Sequence, residues 1–219
     1  MKQPKALQGF LRRRECLLPT WRGWLVLLLA CAALIVLIVR RAYPFLAVND
    51  PVYNGALVVE GWMPDYALQQ AITEFRRDHY SRLFVTGGPL DQGAPLSEYR
   101  TAAELGAATL LRLGADTNAV EAVPAPKVRV DRTYASAVAL RNWLDQQAVA
   151  ETNFNIISLG PHARRSRLLF EKALGRGCRV GVTAIESEDY DASHWWKSSD
   201  GVRTVIGEMI AYWYARLSF

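Results

Sequence analysis

Apolar residues along this chain fall into two regimes. Gly23 to Val39, GWLVLLLACAALIVLIV, is a run of 17 residues with no charge, strong polar group or proline. At about 1.5 Å of rise per residue it predicts a helix at the short end of what crosses a hydrocarbon core. Arg22 and Arg40 bracket it, and Trp21, Trp24 and Tyr43 supply aromatics at its ends, as membrane interfaces favour. A cleavable signal peptide would have a shorter core and a small-residue site before mature sequence; here Arg40 and Arg41 follow directly. Leu28 to Cys31, LLAC, resembles a lipoprotein box, but the apolar run continues for eight residues beyond the cysteine.

Beyond residue 55 short apolar runs alternate with longer amphipathic ones. Ala56 to Glu60 predicts a buried strand, and residues 65–80 a helix with Leu68, Ile72 and Phe75 at helical spacing. Arg82 to Thr86 predicts a second strand, ended by Gly87, Gly88 and Pro89, and residues 97–113 an alanine-rich helix stopped by Gly114. An extended segment broken by Pro124 and Pro126 precedes a helix over 132–147, capped by Asp131 or Thr133. Phe154 to Leu159, a helix over 161–174, Cys178 to Ile185 and a helix over 202–217, capped by Ser199 or Asp200, complete the pattern. Strands alternating with helices of this length predict an α/β domain, Rossmann-like and doubly wound, with a mostly parallel sheet of about five strands preceded by one transmembrane helix. The expected organisation is a basic tail over 1–22, the membrane helix over 23–41, a Pro/Asn-containing stalk over 42–55 and the α/β domain over 56–219.

Charge orients this plan. The chain carries +5, the tail alone +5 and the Arg40–Arg41 pair +2, leaving −2 for residues 42–219. The positive-inside rule puts the tail in the cytoplasm and the α/β domain outside it. A mildly acidic domain excludes a nucleic-acid surface, while the tail has affinity for anionic lipid. Only Cys178 follows the span, so neither an intramolecular disulfide nor a cysteine metal cluster is expected in the domain.

Ligands of such sheets bind beyond the carboxyl ends of the strands. There the sequence places Glu60-Gly61-Trp62, Thr86-Gly87-Gly88, Asp131-Arg132-Thr133 with Ser136, and Gly160-Pro161-His162 with Arg164 and Arg165. The arginines are conspicuous, because cations oppose the dipole of a helix's first turn. An anion at that helix start, held by backbone N–H groups and guanidinium forks, would account for them. So would internal partners such as Glu171 and Asp131, or, for Arg167, plain solvent exposure. The expected ligand-binding set is Gly61, Thr86, Gly87, Gly88, Arg132, Thr133, Ser136, Arg164 and Arg165. His162 is the candidate acid/base, with Glu98 or Glu104 as a second carboxyl group. Trp195 and Trp196 suit core or membrane-interface positions better than ligand stacking. There is no G-x-G-x-x-G, G-x-S-x-G, Walker or H-E-x-x-H motif, and His79, His162 and His194 lack metal-ligand spacing, so no cofactor or metal is expected.

The strand ending at Gly61, the TGG of Thr86 to Gly88, the RTYAS of Arg132 to Ser136 and the HARRS of His162 to Ser166 together resemble the YdcF/SanA/ElyC family, over about Leu57 to Ile185. The late motif is similar to the family's H-x-x-R-A, with Ser166 in place of the alanine. Its middle motif, T-x-E-N-A, is met only at Thr133, and the R-T-x-x-S form brings the chain closer to the SanA branch, which shares an N-terminal anchor. The resemblance implies a Rossmann-like fold and a single-pass protein of the bacterial inner membrane, with a role in the cell envelope, in some members linked to peptidoglycan or surface-polymer precursors. The expected function is a membrane-anchored envelope protein binding an anionic, phosphorylated or lipid-linked sugar ligand. If an enzyme, it is a metal-free hydrolase or transferase at phosphoryl or glycosyl linkages. The alternatives are a non-catalytic scaffold docking on envelope-synthesis proteins through Trp195 and Trp196, and a nucleotide or methyl-donor binder.

Overall fold

The computed structural model describes residues 19–77 and 80–219. The basic tail up to residue 18, Cys16 and His79 lie outside the described residues. The chain divides into two compact units, Met1–Ile38 and Val39–Phe219. Helix α1, Trp21–Leu46, is long and apolar enough to cross a membrane. Its residues Leu25 to Leu29 and Leu34 to Ile38 are all exposed.

The second unit is built on five parallel strands: β1 (Ala56–Glu60), β2 (Arg82–Gly87), β3 (Val120–Pro124), β4 (Asn153–Leu159) and β5 (Arg179–Ile185). The spatial order is β3-β2-β1-β4-β5. Helices α2 (Asp65–Arg77), α3 (Ala102–Arg112), α4 (Arg132–Gln146), α5 (Ala163–Leu174) and α6 (Ser199–Ser218) complete the unit.

Burial on both sheet faces explains why the central strands read as unbroken apolar runs. Ala56, Val58, Phe84, Phe154 and Ile156 face Ala137 and Leu140 of α4 and Phe170 and Ala173 of α5. Leu57, Val59, Leu83, Val85 and Ile157 face Ala67, Leu68 and Ile72 of α2 and Ala107 and Leu110 of α3. The period of two therefore turns Glu60 towards the α4/α5 side, two positions beyond Val58. β1 and β4 are adjacent although the chain reverses its direction of winding between them, which makes their carboxyl ends the switch point of the sheet.

Residues 42–55 correct the expected stalk, because they belong to the folded unit. The last turns of α1 bury Ala42, Tyr43 and Leu46 against Trp195 and Val205. Downstream, the Asp50 and Val182 backbones exchange hydrogen bonds of 2.9 and 3.0 Å, and Ala184 N–H donates to Asn49 Oδ1 at 2.7 Å. The segment thus covers the free edge of β5, which otherwise exposes unpaired backbone groups. A Cβ on Gly181 would collide with the Val52 backbone, so glycine there permits the approach. Local proline and asparagine content suggested a linker; a sheet edge that needs covering decided otherwise.

Helix starts also move. α3 begins at Ala102 rather than 97, because Thr101 and Glu104 form a reciprocal capping box. α6 begins earlier than expected, capped by Ser198, whose hydroxyl accepts from the Asp200 and Gly201 amides. Asp131 does precede α4, but in the left-handed conformation (φ 56°) and with no side-chain cap bond.

Candidate active site

A chain of buried charges lies at the switch point. Glu60 ends β1, Ser158 stands near the end of β4, and a single 3-10 turn, Gly160–His162, carries β4 into α5. Glu60 Oε2 accepts from Ser158 Oγ at 2.5 Å and Oε1 from Ser166 Oγ at 3.0 Å. His162 Nε2 lies 3.4 Å from Glu60 Oε1 and 3.5 Å from Thr133 Oγ1. On the other edge of the ring, His162 Nδ1 is 2.9 Å from Glu208 Oε1, delivered by the middle of α6. Arg165 grips the same carboxylate with both ends of its fork, Nε to Oε2 at 2.8 Å and Nη2 to Oε1 at 3.0 Å, the bidentate geometry that favours arginine over lysine.

These charges hold one another in their ionised forms. Burial pulls the His162 pKa down, but the Glu60 charge, with hydrogen bonds to Glu208 and Glu60, outweighs it and raises the value to about 9. Burial pushes Glu60 up, yet the charge and hydrogen bond of His162 and the two serine hydroxyls hold it below the usual carboxylate range. Glu208, also pushed up by burial, is brought down to about 2 by hydrogen bonds from His162 and Arg165. At neutral pH the ring is an imidazolium between two carboxylates. Its Nδ1 lies 2.9 Å from Glu208 Oε1 and 2.9 Å from Arg165 Nη2, which donates to the same carboxylate oxygen. Its Nε2 edge faces Glu60 and Thr133 at the longer distances of 3.4 and 3.5 Å.

His162 and Glu208 line a cavity of about 290 Å³ together with Trp62, Tyr190, Asp189, Asp200 and Arg203. The Trp62 indole stands edge-on to the imidazole at 5.1 Å between centroids and is 48% exposed. The lining mixes two cations, His162 and Arg203, with three carboxylates, Asp189, Asp200 and Glu208.

The expected site residues meet different fates. His162, Thr133 and Arg165 come together; Ser136 is buried in α4 close by in sequence. Thr86 stands opposite Glu60 in register, fully buried, with its hydroxyl without a partner among the described residues. Gly61 and Gly87 serve packing: a Cβ on either would strike the backbone of α3 at Ala102 or Ala103. Gly88 has open space around it.

The expectation of a free anion site at the start of α5 is corrected by the partners of its arginines. Arg165 is taken by Glu208, and Arg167 pairs with Asp50 and Glu171. Arg164 donates to the Phe45 carbonyl and lies 4.1 Å over its ring. Arg132, exposed on α4, pairs with Asp91 at 2.6 Å. Trp195, offered as a surface patch, is buried, its indole N–H donating to the Val39 carbonyl at 3.1 Å.

Neither expected carboxyl group is in the site. Glu98 is exposed in the loop before α3. Glu104 caps that helix, its Oε2 accepting from the Arg100 and Thr101 amides at 2.8 and 2.9 Å, and those hydrogen bonds hold its pKa low. Glu104→Ala is expected to lower stability by about 1 kcal/mol, read as a fall of about 2–4 °C in thermal midpoint. Ligand response should be unchanged, and a lost response would return Glu104 to the site. The carboxylates that do the work, Glu60 and Glu208, each had a signal in the sequence. Glu60 is the one charge in a strand buried from end to end, and Glu208 the one acid in the apolar stretch from Val205 to Ala215.

No family model, curated protein or solved structure matches this chain.

Proposed function

We propose that this is a single-pass protein of the bacterial inner membrane. In this reading its α/β domain lies outside the cytoplasm and binds the sugar-bearing headgroup of a lipid-linked envelope precursor. The observation that carries the reading is the His162 ring, fixed between Glu60 and Glu208 at the switch point and lining a cavity. The positive tail before the span supports the orientation. The likeness of TGG, RTYAS and HARRS to the YdcF/SanA/ElyC family supports the envelope role.

The lining refines the ligand. Three carboxylates against two cations suit a polyhydroxylated group better than a polyphosphate. Trp62 offers an aromatic wall to a sugar ring, and Arg203, held by one exposed contact with Asp200 at 3.4 Å rather than in a two-point grip, keeps donors for one phosphate. His162 then acts as a general acid, giving a proton to the departing oxygen of a glycosyl or phosphoryl linkage as water or an acceptor hydroxyl attacks. Glu208 orients the ring through Nδ1, and solvent reprotonates the imidazole.

The test uses the full chain in nanodiscs, with thermal midpoints measured against a polyprenyl phosphate and the same lipid carrying a sugar through a diphosphate. Ligand at 100 times its Kd should add about 2.7 kcal/mol. The sugar-bearing lipid should raise the midpoint, Arg203→Ala should abolish that rise, and His162→Gln should bind without turnover. No rise with either lipid, or one indifferent to Arg203, sinks this reading in favour of a scaffold.

A further inference from the structure

Helix α6 has three kinds of surface. Asp200, Thr204 and Glu208 line the cavity. Val205, Met209 and Tyr212 pack against the end of α1, and Ala215 against Leu168 and Leu169 of α5. The remaining face carries Ile206, Ile210, Trp213, Tyr214 and Leu217, exposed by 49, 67, 51, 53 and 84%. These positions follow the i, i+4, i+7, i+8, i+11 pattern and occupy an arc of about 100° on the helix. The fold gives this apolar face nothing to cover it among the described residues, and contiguous apolar patches mark interaction sites.

We propose that this face seats in the lipid–water interface of the membrane that α1 spans. Tethering is the first argument. Tyr212 of α6 lies edge-on to Phe45 at 5.7 Å between ring centroids. Phe45 is six residues beyond Val39 along α1, about 9 Å of helix. Composition is the second. The face includes a Trp–Tyr pair, the residues enriched at membrane interfaces, and holds no carboxylate. Arg203 closes the N-terminal end of the same arc and Arg216 flanks it; like Arg40 and Arg41 at the end of the span, they are cations suited to anionic lipid. Area is the third. Five large side chains about half exposed offer roughly 500 Å², short of the ~800 Å² per partner of a stable dimer.

Seating α6 this way gives the site its substrate class. Glu208 projects from the same helix into the cavity, so a docked α6 holds the cavity wall at the level of lipid headgroups and favours ligands presented from the bilayer. The inference rests on reading α1 as a membrane span, and the test separates the two. Single cysteines for spin labelling, Ile210→Cys, Leu217→Cys and Arg203→Cys, are introduced with the native cysteines replaced. Native Cys31, kept alone in a fourth variant, reports on the span. The proteins are reconstituted in vesicles of phosphatidylethanolamine and phosphatidylglycerol. Labels at 210 and 217 should be more accessible to oxygen than to a water-soluble nickel chelate, the Cys31 label more so, and the label at 203 the reverse. Water-like labels at 210 and 217 beside a lipid-buried Cys31 overturn the docking and leave the span standing. Dipolar coupling between copies at 210 overturns it in favour of a second copy of the chain. A water-like Cys31 overturns the span and the docking together.

Discussion

Glu60→Ala is expected to destabilise the folded chain by about 3–5 kcal/mol, the range for removing one partner of a buried charge pair. Glu60 is 3% exposed and is the acceptor for Ser158, Ser166 and the Nε2 edge of His162. Alanine strands two buried hydroxyls, each costing about 1–3 kcal/mol when unsatisfied, and removes the charge that keeps His162 protonated. Glu60→Gln should fall between alanine and the native residue, since an amide oxygen still accepts from a serine but carries no charge. The measurement is the thermal midpoint of the full chain in detergent at pH 6. At about 2–4 °C per kcal/mol, alanine should lower it by roughly 6–20 °C. A change of under 2 °C would mean that the buried carboxylate contributes little and that Ser158 and Ser166 find other partners.

Legibility in the sequence followed the range of the forces involved. Local and periodic signals gave the five strands, their alternation with helices, the apolar span and the loop cluster that holds His162, Thr133 and Arg165, because pattern and turn chemistry act within a few residues. What could not be read was pairing at a distance. Glu208 is 46 residues from His162 and Glu60 is 98 from Ser158, and only packing α6 beside α5 and β4 beside β1 brings each pair together. Glu104 is a candidate site carboxyl in sequence, yet an acid three residues after a threonine at a helix start satisfies backbone amides first.

The arginines of α5 show the same division. Their position against the helix dipole asks for a partner that offsets it, a ligand anion or a group of the chain itself. That partner is the chain's own: Glu208 for Arg165, Asp50 and Glu171 for Arg167, a backbone carbonyl for Arg164. A ligand anion and an internal carboxylate leave the same mark in sequence. Geometry tells them apart, because a guanidinium already held in a two-point grip has few donors left to offer.

Raising the pH from 6.5 to 9 should remove about 3 kcal/mol of stability through His162 alone. The folded-state pKa of about 9 lies above the ordinary 6.5, so the folded chain binds this proton more tightly than the unfolded one. Its stabilisation is complete below pH 6.5 and is lost as pH rises through 9; the size follows from 1.36 kcal/mol per tenfold difference in proton affinity. The carboxylates act in the opposite sense. Glu208, at about 2 against an ordinary 4.5, contributes stability above pH 4.5 that is lost as pH falls towards 2, and Glu60 acts in the same direction. Stability from this cluster should therefore be greatest between pH 4.5 and 6.5. Thermal midpoints of the full chain at pH 6 and pH 9 should differ by roughly 6–12 °C, and His162→Gln should flatten that alkaline fall even though it is less stable throughout. If the variant keeps the same fall, the titrating group lies elsewhere and His162 is neutral when folded. A neutral ring has no proton to give to a departing oxygen, so the same measurement decides whether His162 can act as the acid.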